Sequence, residues 1–167
     1  MEFLNHLLNG EMEPFECGLR HIMENTVSYH DVAGEPEPFY HGFMIGLTAS
    51  LANDPRYELR SNRESGYGRY DYLILARDSQ HLSIVLEFKQ VELSTGKKDP
   101  DAIKAILTKK AHEALQQINA QAYSAEINQR GLTNILKIGI AFGGKRFEMA
   151  YSRNWFRKTD SENLVKK

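Results

Sequence analysis

The stretch GRYDYLILARDSQHLSIVLEFKQV, residues 68–91, constrains this chain more than any other. It reads as two apolar strands separated by the turn RDSQ. A hairpin folded about Ser79 sets Leu73 opposite Val85 and Asp71 opposite Glu87; a slightly different centre would shift the pair by one residue. Strand side chains alternate, so Asp71, Leu73, Leu75, Val85, Glu87 and Lys89 share one face. Tyr72, Ile74, Ile84, Leu86 and Phe88 take the other. Two carboxylates opposed at about 5 Å repel, and apolar neighbours deepen the penalty by stripping their hydration. A cation must compensate. Lys89 is one candidate, in a partly solvated salt-bridge cluster on the sheet rim. A divalent metal is the stronger candidate once Asp71 and the apolar flanks are counted, because carboxylates and a backbone carbonyl are the hard ligands that magnesium accepts.

The rest of the chain frames this hairpin. Apolar spacing predicts short helices over Phe3–Leu8 and Cys17–Met23, broken at Gly10 and Pro14. HDVAGEPEP reads as a linker, because Gly34, Pro36 and Pro38 oppose a regular element. In PFYHGFMIGLTASLAND, Phe39, Phe43, Leu47 and Leu51 recur every fourth residue, which predicts a helix ending before Pro55. RYELRSNRES reads as a strand running into a turn. Asp99 and Pro100 suit the N-cap and first position of a long helix. Its inner face is marked by Ile103, Ile106, Leu107, Leu115, Ile118 and Ala122, and Gly131 stops it. ILKIGIAF, the turn GGK and RFEMAYS form a closing hairpin, and the tail from Arg157 to Lys167 is polar. The expected architecture is a mixed α/β domain of αβββαβ order, a mixed β-sheet flanked by helices. Residues 1–34 are read as a helical segment packed on a core domain of residues 35–156, with 157–167 as tail.

Composition excludes several classes. With 167 residues, 41% hydrophobic and 26% charged, the chain has the composition of an ordinary globular protein and fits one domain with a proper core or at most two very small ones. Its formal charge of −1 supplies no global field for nucleic acid, so any such binding needs a local basic patch. Cys17 is the single cysteine, which excludes a disulfide scaffold and a thiolate zinc site. No apolar run approaches the roughly 20 residues of a membrane span, and MEFLNHLLNGEMEPFE lacks the plan of a signal peptide. These features predict a soluble, cytoplasmic protein. GGK lacks the spacing of a P-loop, and no G-x-S-x-G, H-E-x-x-H or EF-hand pattern occurs.

The paired strands with Y-D…E-F-K, one helix before and a long helix after, resemble the PD-(D/E)XK nuclease superfamily. PFYHGFMIGL, SNRESGYGRYD, VLEFK, ALQQINAQAY and IGIAFGGK are similar to the branch usually found at the C-terminal end of AAA-ATPase-like proteins. The resemblance runs from about Phe39 to Tyr151 and implies a restriction-endonuclease-like core and a DNA nuclease. It implies that Asp71 and Glu87 ligate Mg²⁺ or Mn²⁺ with the carbonyl of Phe88, that Lys89 orients or deprotonates the attacking water, and that Gln117 stands nearby. Tyr70 replaces the proline of the signature. A further acidic residue is often contributed from upstream, for which Glu64 is a better candidate than Glu37.

Around this set, Arg63, Arg69, Gly66 and Gly68 fit either a phosphate contact or a glycine-rich turn with solvated arginines. His41 is raised as a substrate-binding residue by the family word alone. Lys104, Lys109, Lys110 and His112 form a solvated basic stretch or a path for a nucleic-acid backbone. The implied partners are DNA, an ATPase supplied in trans, and a second copy in a homodimer. A module that kept the fold and binds without cutting is the alternative.

Overall fold

The computed structural model describes residues 2–28, 36–61, 64–65, 68–93, 99–120, 127 and 130–155. Two N-terminal helices come first, α1 (Glu2–Asn9) and α2 (Met12–Thr26), followed by α3 (Pro36–Thr48) and a 3₁₀ turn at Ala49–Asn53. The strands are β1 (Tyr57–Ser61), β2 (Glu64–Ser65), β3 (Gly68–Arg69), β4 (Tyr72–Ala76), β5 (Ser83–Gln90), β6 (Asn134–Gly143) and β7 (Arg146–Trp155). Helix α4 (Pro100–Ala120) lies between β5 and β6. Five strands form one sheet in the order β1-β4-β5-β6-β7, and β2 and β3 pair separately. Only β5 and β6 run parallel within the five-stranded sheet; the other neighbours are antiparallel. A parallel pair needs a crossover, and α4 is that crossover.

The sheet is covered on both faces, which is why β4, β5 and β6 read as near-continuous apolar runs. One face carries Tyr72, Ile74, Ile84, Leu86, Phe88, Ile138 and Phe142, in one cluster with Leu7 of α1, Phe15 and Leu19 of α2, and Tyr40 and Met44 of α3. The other carries Leu73, Leu75, Val85 and Ile135 with Ile118 of α4. Further along α4, Leu107 and Ala111 pack on Ala141 and Ala150.

Three expectations need correcting. Pro14 does not break a helix: it is the third residue of α2, in the first turn, where a missing N–H costs no helical bond. Pro36 and Pro38 likewise open α3 rather than forming a linker with the residues before them. The turn read in SNRES contains strand β2, paired with β3 as a two-residue ladder, Glu64 with Arg69 and Ser65 with Gly68.

In α3 the buried stripe is shifted by one residue from the expected one. Tyr40, Met44 and Thr48 are buried, whereas Phe39, Phe43 and Leu47 are half-buried. Tyr40 stacks on Phe142 at 4.4 Å and donates its hydroxyl to the Gly144 carbonyl at 2.8 Å, fixing α3 to the β6–β7 turn. Helix α4 begins as expected: the Ile103 N–H donates to the Asp99 carbonyl at 3.0 Å. Ala122 lies outside the described residues, as do residues 156–167.

Tyr40→Ala should lower the unfolding free energy by about 3–5 kcal/mol, and Tyr40→Phe by about 1 kcal/mol. Urea denaturation of the variants beside the parent protein checks both figures.

Candidate active site

The hairpin register is the expected one, with Leu73 paired to Val85 and Tyr72 to Leu86. One step further brings Asp71, the residue just before β4, level with Glu87. The Phe88 N–H donates to Asp71 Oδ2 at 2.8 Å, so the carboxylate is held against the β5 backbone. An extended residue sends its N–H and C=O to the same side, so the Phe88 carbonyl also leaves toward β4.

Glu87 is only 3% exposed. Its Oε1 accepts a hydrogen bond from Gln117 Nε2, and Lys89 Nζ stands 3.7 Å away. Lys89 Nζ donates to Gln117 Oε1 at 2.6 Å. The Gln117 amide therefore bridges the carboxylate and the ammonium, one end donating and the other accepting. Among the described residues Glu87 Oε2 has no hydrogen-bond partner although it is buried. Burial pushes the Glu87 carboxyl up from its ordinary 4.5 to about 7, the negative charge of Asp71 adds to the rise, and Lys89 opposes it. Two acids of different environment and a half-buried lysine thus converge at the C-terminal end of β5.

The remaining expected residues fall around this centre in different ways. His41 lies on α3, on the Phe88 side of β5, with its ring 5.8 Å from the Phe88 ring and Nε2 2.9 Å from Ser61 Oγ. It is at the same end of the sheet as Glu87 but across it. Tyr70, in the place of the signature proline, is buried with Leu73, Leu75 and Val85. Glu37 is exposed in the first turn of α3. Glu64 and Arg69 are backbone partners in the β2–β3 ladder that precedes Asp71. Arg63 lies outside the described residues. Lys104, Lys109 and His112 are exposed along α4, and Lys110 pairs with Glu113 at 2.6 Å.

Two residues near the site escaped the sequence reading. Lys137 of β6 is buried beside α4 and donates to Asn119 Oδ1 at 2.9 Å, and burial lowers its pKa. Gly139 of β6 pairs with Glu87. Each had a signal, a lysine or a glycine inside the apolar run ILKIGIAF, but only the parallel register shows what it faces. A separate cleft of about 240 Å³ lies at the opposite end of the sheet, lined by Asn9, Arg56, His81 and Arg153 among others. Arg56 and His81 there are already paired with Asp54 and Asp78.

The donor set suits a hard divalent cation: a buried carboxylate with one unpartnered oxygen, a second carboxylate beside it, and a backbone carbonyl. No group of three or more His, Cys, Asp or Glu is gathered for a metal among the described residues. None of their helices is long and apolar enough to cross a membrane.

A five-stranded mixed sheet with helices on both faces, bearing Asp71, Glu87 and Lys89 at one end, defines a restriction-endonuclease-like α/β core. The chain belongs to the PD-(D/E)XK nuclease superfamily, whose sequence profile matches residues 35–151. No curated protein matches it. The crystal structure of SSO0001 is similar over 78% of this chain and 59% of its own, with 15% identity and a TM-score of 0.27.

Because the folded chain holds the Glu87 proton more tightly than the unfolded one, metal-free stability falls as pH rises from 4.5 to about 7. The loss expected from Glu87 is about 3 kcal/mol. Denaturant unfolding in EDTA at several pH values should show this decline, and Glu87→Gln should flatten it and be the more stable protein at about pH 8. Equal slopes in the two proteins would contradict the assignment.

Proposed function

We propose that this protein is a metal-dependent nuclease that hydrolyses DNA phosphodiester bonds by water attack. The observation that carries the reading is the buried Glu87, with one oxygen bridged through Gln117 to Lys89 and the other without a hydrogen-bond partner among the described residues. Asp71, Glu87 Oε2 and the Phe88 carbonyl would hold Mg²⁺ or Mn²⁺, with Glu64 as a candidate further ligand. When bound, such a cation lowers the pKa of water and neutralises charge developing on the phosphate.

The chain's own groups supply the rest. Asp71 is anchored to the β5 backbone by the Phe88 N–H, which donates to its Oδ2. Lys89, one third exposed, can reach a water while Gln117 keeps its ammonium beside Glu87. It orients that water for in-line attack, or takes its proton when neutral. A P–O bond forms to the water oxygen, the bond to the leaving sugar oxygen breaks, and a proton from solvent completes the alcohol. Arg63, Arg69 and His41 are the proposed substrate contacts. No serine, tyrosine or cysteine nucleophile is needed. Residues 35–156 would form the nuclease unit, with residues 1–34 packed on it.

The near-neutral net charge of −1 favours a second reading, a cleavage-inactive nucleic-acid-binding or protein-interaction module working with an ATPase partner supplied in trans. A homodimer would double whatever basic surface the chain offers.

Cleavage of supercoiled and linear DNA is expected with Mn²⁺, not in EDTA, and not with Lys89→Ala. Cutting that survives in Lys89→Ala would point to another site or another protein. By calorimetry, Asp71→Asn and Glu87→Gln should each weaken Mn²⁺ binding by about tenfold or more, whereas Lys89→Ala should leave it largely intact. Absence of Mn²⁺ binding at millimolar concentration, with and without DNA, would sink the metal assignment. Binding without cutting would favour the second reading.

A further inference from the structure

Gly139 sits in the middle of β6, opposite Glu87 across the parallel β5–β6 ladder. Its outer side faces α4 at very short range. A methyl group there would lie 2.3 Å from the Ala111 carbonyl oxygen, 2.5 Å from the Leu115 nitrogen and 2.9 Å from the Ala114 Cβ. Two of these three atoms are helix backbone, which cannot rotate aside. Among the described residues, positive φ belongs to Gly10, Gly131 and Gly144, so the backbone at Gly139 does not itself demand glycine. Glycine inside a strand weakens it, and a close backbone approach is what makes it worthwhile. Ala111, Ala141 and Ala150 continue the seam with the smallest side chains.

The closeness has a consequence one strand away. Gln117 follows Leu115 by two residues on the same helix and reaches across to β5, where it joins Lys89 Nζ and Glu87 Oε1. The 2.3 Å contact must open by about 1 Å to reach ordinary van der Waals range, and a 2.6 Å hydrogen bond drawn out by that much, to about 3.6 Å, is no longer one. A helix raised to admit a methyl group at Gly139 would break both. Gly143, two pairs along the same strand face, is different: a methyl there meets Leu93 Cδ1 at 3.0 Å and Leu107 Cδ2 at 3.3 Å, the movable ends of side chains. The unyielding contact is at the level of Glu87.

We propose that Gly139 is a positioning residue: by letting α4 rest on the sheet backbone, it sets the reach of Gln117 and so holds Glu87 and Lys89 in register with each other. Its catalytic consequence rests on the nuclease reading above; its structural half does not.

The test compares Gly139→Ala with Gly143→Ala, each alone and combined with Gln117→Ala, in the full chain. In metal-free protein the side-chain amide resonance of Gln117, identified by its loss in Gln117→Ala, should move toward the position of a solvated glutamine in Gly139→Ala and stay in Gly143→Ala. With Mn²⁺ and DNA, Gly139→Ala should lower kcat by about a hundredfold with little change in KM. In the Gln117→Ala background the same substitution should add little further loss of cleavage, while it still lowers Tm through the clash between helix and sheet. An unmoved Gln117 resonance in Gly139→Ala, or fully additive losses of cleavage, would overturn the proposal. Should Gly139→Ala fail to fold, Ala114→Val, which presses on the same seam from the helix side, takes its place with the same readings. If the parent protein cleaves nothing, the nuclease reading fails, and the amide resonance still decides the role of Gly139.

Discussion

The burial of one carboxylate organises this molecule. Glu87 lies in the central strand of a sheet covered on both faces, where an isolated charge is costly. Its surroundings answer that cost only in part. Gln117 satisfies Oε1, Lys89 contributes a positive charge at 3.7 Å, and Oε2 has no hydrogen-bond partner among the described residues. The carboxyl responds by holding its proton to about pH 7. Such a site is uncomfortable for a carboxylate alone, and under the proposed reading an oxygen-bound cation would relieve that cost.

Topology explains how the groups meet. Strand β5 takes β4 on one side as an antiparallel neighbour, which brings Asp71 to the Phe88 N–H. It takes β6 on the other side as a parallel neighbour, which requires α4 to cross the sheet. That crossing delivers Gln117, 30 residues from Glu87 in sequence, to the two side chains it bridges. The opposite face is built for packing. There α1, α2 and α3 close the sheet with a core of Phe15, Leu19, Tyr40 and Met44, and His41 and Ser61 stand at its rim near Phe88. Burial on that face fixes the strands that carry the charged groups on the other.

Much of this is legible in the sequence because it is local. Alternation along YLILA and SIVLEFKQ assigns each side chain to its face, and the length of the turn between them sets the register that pairs Leu73 with Val85. Asp99 and Pro100 mark the start of α4. The misreadings are also local in kind. Prolines read as breakers, although Pro14, Pro36 and Pro38 sit in first helical turns. In α3 two neighbouring rows are both apolar, so spacing alone favours Phe39 and Phe43 over Tyr40 and Met44.

The sequence by itself determined the strands of the five-stranded sheet, their faces and the acids and lysine beside Phe88, since the two-residue period of a strand and the reach of a hairpin are properties of neighbouring residues. Only the tertiary structure decided that Glu87 is buried with an open oxygen, that Gln117 joins it to Lys89, and that Gly139 lies beneath α4 at that level. Those facts depend on a parallel pairing across more than 40 residues of intervening chain and on the depth at which a helix rests on a sheet. Backbone contact distances of this kind leave no periodic trace in the order of side chains.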